Sequence, residues 1–598
     1  MIRAGLLALA LAVLPSALSA QVDTTRRDTT ARYPATRDTT GRDTTAARDT
    51  VPALLPVFGA ALAPGPLPKN TRYTFTVDSL LLSGTRTLSD LLAHVPGVYV
   101  ARGGWYGQAE IVLYGGRGPA SLELYWDGMP MLPLGRDSIY LDPARIPLAP
   151  LERIDVIVLP ATLQVYLVTS QYRSTTPRTQ IGITTGQQDI AEYRAGYSTR
   201  TRSGLGVTLL ADWASIGAGP IANTTTPFGT SDIWVKADYV PPDGRIGASF
   251  QVSSASWHRA TGTNVEGWRQ DRRERMLSMF VAQRNDGLGW RLSATLGTSG
   301  IDHDTLIGRR SVSGAGVELR QVWRNATIAG TARFGAGGLP QQFEGRGGWM
   351  PIRRLTLAGA VRQTFYSGQR SGLRAFATSG LTLPLGLSAR AEVAWQRDVQ
   401  APLVRTDRVQ QTLDVAAWVG IENRLLTFEV GRGRRDPFAP LGFAVGIPTV
   451  DSLNPTPLTE FVAAHGSLRI APGFRLSGWY FDPVVGGGDF EPPRHGFVSL
   501  SFYSKFWRVF KSGIFALRGE VLMDSWSRWA LGGIDTTLKR QRNMTGSSFV
   551  STNLEMQLAG VTLFWNVTNI NIMRSSYVEG LGYPKAAQQY GARWFFTN

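Results

Sequence analysis

Cysteine is absent from all 598 residues. That excludes a disulfide scaffold, a thiolate metal site and a thiol nucleophile. Histidine is scarce: His94, His258, His303, His465 and His495 are the only five, and none sits in a nucleophile motif. This argues against a His-rich metal or haem site and against a barrel hydrolase, so neither a cofactor nor an enzyme is expected. No apolar run reaches the ~20 residues of a membrane helix. Acidic residues are outnumbered, 45 against 62 Lys and Arg, for a net charge of +17. The arginines are spread through strand-like segments, with no basic helix or recognition motif, so nucleic acid is not an expected partner. Solvated charges, or an anionic lipid surface or ligand, account for the excess.

What the chain has in quantity is alternation. Leu387, Ala389, Ala391, Val393 and Trp395 share one phase, and Ser388, Arg390, Glu392, Ala394 and Gln396 share the other. Successive strand side chains point to opposite faces, so one face is apolar and the other wet. Leu205, Val207, Leu209, Ala211 and Trp213 repeat the pattern, as do Leu292, Ala294 and Leu296 opposite Arg291, Ser293 and Thr295. A soluble sandwich would alternate too. Mean hydropathy of −0.08 fits a membrane barrel, because half of each strand faces the lumen.

The N-terminus reads as a secretory signal over residues 1–20, with Arg3, an apolar core and a small-residue site ending at Ala20. Residues 21–70 form a tether: repeated Asp-Thr-Thr cannot be buried. Residues 53–70 are apolar but broken by prolines, either an extended segment able to join another protein's sheet edge or a plain linker. Residues 71–175 form a small mixed unit. Its helix signal has Thr87 or Ser89 as cap and Leu88, Leu91 and Leu92 at helical spacing, and it stops before Pro96. Strands follow at 110–116, 121–130 and 151–160, with an Asp127-Gly128 turn signal. From 176 to 598, turn signals at 185–189, 241–245, 284–289, 384–386 and 471–474 divide the chain into about 22 strands. An open sheet of that size would leave unpaired edges in lipid, so closure is required. The expected fold is an all-β, 22-stranded antiparallel transmembrane barrel. So wide a barrel cannot be closed by side chains alone, and the α+β unit is expected inside it as a plug.

Four stretches carry a family resemblance: TLSDLLAHVPGVYV (87–100), LYWDGMPM (124–131), LERIDVI (151–157), and LFWNVTNINI (563–572) with LGYP (581–584) and the final strand. In this order and spacing the chain resembles a TonB-dependent outer-membrane receptor. It departs from the family after LERIDVI, in its blurred Arg-Gly turn, in ending on Asn598 and in lacking a close match to the energy-coupling box.

The resemblance implies a bacterial outer-membrane, monomeric transporter that imports a scarce nutrient, with a ferric siderophore-like chelate favoured. Partners would be outer-membrane lipids, a small-molecule or metal-chelate ligand, and an inner-membrane TonB-like complex. That complex would engage a segment near 53–60, through Leu54, Leu55, Val57 and Phe58. Plug–barrel contacts would involve Arg117, Glu152 and Arg153 of the plug and Glu392 and Asp414 of the wall. Arg102, Trp105, Tyr106, Arg136 and Tyr140, in plug loops expected to face outward, would offer cationic and stacking contacts to an anionic, partly aromatic ligand. The alternative is a plugged barrel without energy coupling, acting as a structural, adhesive or surface-binding protein.

Overall fold

The computed structural model describes residues 54–597, apart from 60–64, 82–83, 103–109, 118–120, 135–140, 188, 218–227, 260–266, 305–307, 337, 368–369, 402, 404, 440–454, 488–493, 507–508, 510–513, 536–538 and 574–585. The strands from Arg178–Gly186 to Ala587–Thr597 close into one antiparallel barrel of 22 strands, apart from Trp529–Asp535 and Arg540–Met544, which pair as a separate hairpin. The seam is the pairing of the last strand with the first, Thr597 opposite Arg178. An even strand number brings chain entry and exit to the same end. Tight turns such as 201–204, 323–325 and 423–425 lie at that end, and strands separated by longer stretches of sequence, Ile216 from Phe228, Arg435 from Thr459 and Thr568 from Ala587, meet at the other.

The alternation acquires a direction here. Leu205, Leu209, Leu292 and Leu296 are 43–55% exposed, whereas Thr208, Arg390 and Glu392 are buried. Apolar side chains therefore face outward and charged ones inward, the reverse of a soluble protein and the arrangement a lipid-facing wall requires. On the last strand Tyr590 and Trp594 are exposed, and the Trp594 and Phe596 rings lie 4.1 Å apart.

Inside the barrel sits the mixed unit, the plug. Its sheet has the order β1-β6-β7-β4-β5, from Arg72–Thr76 (β1), Leu122–Trp126 (β4), Met129–Pro130 (β5), Leu151–Val158 (β6) and Leu163–Thr169 (β7). Only β4 and β7 pair in parallel. Tyr99–Arg102 (β2) and Glu110–Leu113 (β3) form a separate hairpin. Two short helices, Val77–Leu80 (α1) and Leu88–Leu92 (α2), complete it. At the start of α2 the Asp90 carboxylate reaches back to the Arg86 and Thr87 N–H groups, 2.8 and 3.0 Å. Thr87 rather than Ser89 occupies the cap position. Leu88, Leu91 and Leu92 bury against Ile154, Val156, Val165 and Leu167. β7 is central, and every one of its residues is buried. Its Val and Leu content is what a strand covered on both faces needs. In sequence terms β7 lies in the stretch where the chain departs from the family pattern.

Candidate functional site: the plug–barrel interface

The Asp127-Gly128 turn joins β4 to β5 with both residues at positive φ, 45° and 92°. Two left-handed residues give the tight hairpin and aim the Asp127 carboxylate sideways. It accepts from the Thr169 N–H (2.9 Å) and hydroxyl (2.6 Å) on β7, and from Nε2 of Gln251 on the barrel wall (2.9 Å). The Gln251 oxygen accepts from two indoles, Trp234 of the wall at 3.1 Å and Trp126 of the plug at 3.4 Å. Lys236 donates to Thr169 at 2.9 Å. One buried amide thus joins two plug residues to the wall.

Glu123 on β4 meets two arginines of the wall. Arg362 grips it with both terminal nitrogens, one at 3.1 Å, and Arg374 Nη1 reaches it at 2.8 Å. Tyr125 donates to it at 2.8 Å. Burial alone would raise its pKa, but Arg362 and Arg374 outweigh that and hold it well below the usual carboxylate range. Elsewhere His94, just after α2, lies 3.5 Å from Glu520 of the wall. Burial would lower the His94 pKa, but the bond to Glu520 prevails and raises it.

Of the sequence candidates, Arg117 and Asp414 come together in a buried ion pair. Arg117 also donates to the Asp436 carbonyl at 3.1 Å and lies over the Phe438 ring. Three others do not bridge plug and wall. Arg153 turns to Asp155 at 3.1 Å, because residues two apart on β6 share a face. Glu152 accepts from the Gln171 N–H within the plug at 2.6 Å. Glu392 pairs with Arg390 on its own barrel strand. Arg102 is engaged inside the plug by Asp90 at 2.7 Å and Glu110 at 3.0 Å. Trp105, Tyr106, Arg136 and Tyr140 lie outside the described residues.

The N-terminal segment is docked at the tight-turn end. The Leu55 N–H donates to the Arg173 carbonyl at 3.1 Å, Leu54 is exposed, and Phe58 is buried. Phe58 packs with Val240 and edge-on to Phe280, 5.3 Å between centroids. Arg291 lies 3.9 Å above the Phe280 ring and donates to the Gly59 carbonyl at 2.6 Å. From there the chain follows the inner wall: Lys69 reaches Glu422 at 2.6 Å, and Arg518 donates to the Asp78 carbonyl at 2.9 Å.

Between β4–β5 and the wall lies a cavity of about 130 Å³, whose lining includes Trp126, Met129, Met131, Trp234, Met276 and Leu339. Such an apolar hollow with a few convergent polar groups is a common form of ligand site. Glu123, Gln251, Arg362 and Arg374 were not among the sequence candidates. Lumen phase alone marks Arg362 and Gln251 as inward, but which inward residues meet the plug depends on how it is rotated in the barrel.

Residues 69–165 match the TonB-dependent Receptor Plug Domain family. The fold is similar to a crystal structure of a mutant of the ferric enterobactin receptor PfeA from Pseudomonas aeruginosa, with a TM-score of 0.68 at 12% identity over 90% of this chain and 100% of that one. It is also similar to the siderophore receptor PirA from Acinetobacter baumannii (TM-score 0.66, 10% identity, 89% and 100%). The copper transporter OprC gives a TM-score of 0.67 at 11% identity over 88% and 100%. At such identities the likeness is one of fold. No curated protein sequence matches the chain.

Proposed function

We propose that this chain, a plug within a closed barrel of 22 strands whose residues 69–165 match the plug family, is a TonB-dependent receptor that imports a scarce nutrient across a bacterial outer membrane. A ferric siderophore-like chelate is the favoured cargo. The observation that carries the reading is how the plug is held. Its wall contacts include discrete polar ones, Glu123 with Arg362 and Arg374, Asp127 with Gln251, and Arg117 with Asp414, beside an apolar cluster in which Trp234, Phe461, Trp479 and Phe481 of the wall pack with the plug. Polar contacts of this kind can be exchanged for water when the plug moves.

In this reading the long-loop end faces the medium and the tight-turn end the periplasm. Ligand is captured among the plug loops and the loop ends of the strands. An inner-membrane complex of the TonB kind then takes hold near Leu54–Phe58 and pulls. The docked position of Phe58 means that this segment must first leave the wall. The protein carries no reaction of its own in this scheme. Its binding work is done by loop and lumen side chains, and its energy comes from the partner complex.

A deletion strain compared with its parent on iron-chelate, corrinoid and glycan sources tests the reading. Loss of energy-dependent uptake of one source supports it and names the cargo class. Equal uptake of all sources refutes it. Removal of residues 51–60 separates the coupled transporter from an uncoupled surface-binding barrel, because only the former loses uptake while retaining ligand binding.

A further inference from the structure

Between Gly289 and Thr382, six neighbouring barrel strands carry inward arginines, among them Arg291, Arg320, Arg333, Arg346, Arg362 and Arg374; Arg310 and Arg370 share the inward phase at the long-loop ends of their strands. The register orders them. Arg291 lies directly opposite Arg320, and Ala329 stands between Arg320 and Arg346. Arg362 lies directly opposite Arg374. Arg291 is two residues in from Gly289 at the tight-turn end, and Arg374 is four in from Arg370 at the long-loop end. The row therefore descends the wall from the outer region to the inner rim. Like charges placed directly opposite one another weaken a sheet, so stability does not account for the arrangement.

The wall answers these charges only in part. Glu318 bonds Arg346 at 2.7 Å, Glu344 bonds Arg333 at 3.2 Å, and Asp398 pairs with Arg374. Among the described residues, Arg291 and Arg320 form no ion pair, and the only carboxylate paired with Arg362 is Glu123, which belongs to the plug. Beside that contact is a cavity of about 40 Å³, lined among others by Glu123, Gln164, Arg362, Arg374 and Gln396. That is room for a water or a small ion.

We infer that Glu123 stands in for an anionic group of the cargo: when β4 withdraws, Arg362 and Arg374 become an anion site at the head of an arginine row leading to the inner rim. The groups it takes are carboxylates or other oxyanions, which the planar guanidinium forks bind in two-point fashion. The plug carboxylate keeps the two guanidiniums compensated in the closed state. Departure of the plug exposes them at the moment cargo passes. The role in transit rests on the transport reading; the site itself does not.

The test uses the full-length protein and bromide as the probe. Glu123→Gln keeps the shape of the side chain and removes its charge, and Glu123→Ala also vacates the volume. Crystals of both variants and of the wild type are exposed to sodium bromide, and anomalous scattering locates the ion. The expected result is a bromide between Arg362 and Arg374 in at least one variant and none in the wild type, with the peak lost when Arg362→Gln is added. Folded variants without a bromide there, or a wild type with an equal peak, overturn the inference. Failure of the transport reading looks different: uptake is absent while the bromide peak is unchanged.

Discussion

Replacing Phe58 with Ala perturbs the segment at which pulling is proposed to begin. The ring is 7% exposed, lies against Val240 and meets Phe280 edge-on at 5.3 Å. Burying a side chain of this size stabilises by about 1.5–3 kcal/mol. The aromatic pair adds about 0.5–1 kcal/mol. The substitution should therefore weaken docking of residues 54–59 by about 2–4 kcal/mol, because the backbone order lost on release is the same in both proteins. At about 1.4 kcal/mol per factor of ten, the released population rises by about thirtyfold to about a thousandfold. Hydrogen exchange reads this directly, since the Leu55 N–H bonds to the Arg173 carbonyl and is protected only while the segment is docked. Exchange at Leu55 and its neighbours should accelerate by that factor, with barrel strands unchanged. Acceleration of less than about threefold, under 1 kcal/mol, would refute the claim that Phe58 anchors the segment.

Three further outcomes follow from the same contacts. Gln251→Leu leaves two indole N–H groups without their acceptor and Asp127 without one of its donors, so plug docking should weaken by about 2–5 kcal/mol; limited proteolysis should then cut the plug while the barrel survives. Asp142 sits in the plug with its carboxyl pushed up to about 6, by burial against the partial relief of Arg145. A carboxyl raised on folding binds its proton more tightly in the folded state, so its contribution is full at low pH and is lost as pH rises toward about 6. Asp142→Asn keeps an acceptor for the Ala144 N–H and should be more stable than wild type at pH 7; denaturant titrations should show that advantage disappearing below about pH 4. Lys69→Ala removes an ion pair whose side chains are 57% and 41% exposed, and its cost should stay under about 1 kcal/mol and shrink further in salt.

The wall was legible because its rule is local. Whether Leu292 faces lipid and Arg291 the lumen follows from strand phase alone, and turn signals such as 384–386 and 471–474 fall between strands where they should. The Thr87 cap and the stop before Pro96 were legible for the same reason. In the plug the strand at Arg72–Thr76 alternates over only five residues, and that at Leu163–Thr169 does not alternate. The second is buried on both faces, so its two phases read alike. Among interface residues, Arg117 and Asp414 drew notice through motif position and lumen phase. Arg153 drew the same notice, but Asp155 two residues away satisfies it first. Glu123 carried no such mark, although two wall arginines converge on it.

The sequence by itself determined that this chain builds many half-wet strands, that they must close, and that a smaller unit fills the space. Each of these follows from backbone hydrogen bonding and two-residue periodicity, which need no knowledge of distant neighbours. The tertiary structure alone decided which inward charges meet the plug. Glu123 and Arg374 are 251 residues apart in the chain. Their meeting depends on barrel closure and on the angle at which the plug sits within it. Hairpin register between consecutive strands sets Arg291 against Arg320 and Arg362 against Arg374, and so converts a dispersed basic excess into an ordered row.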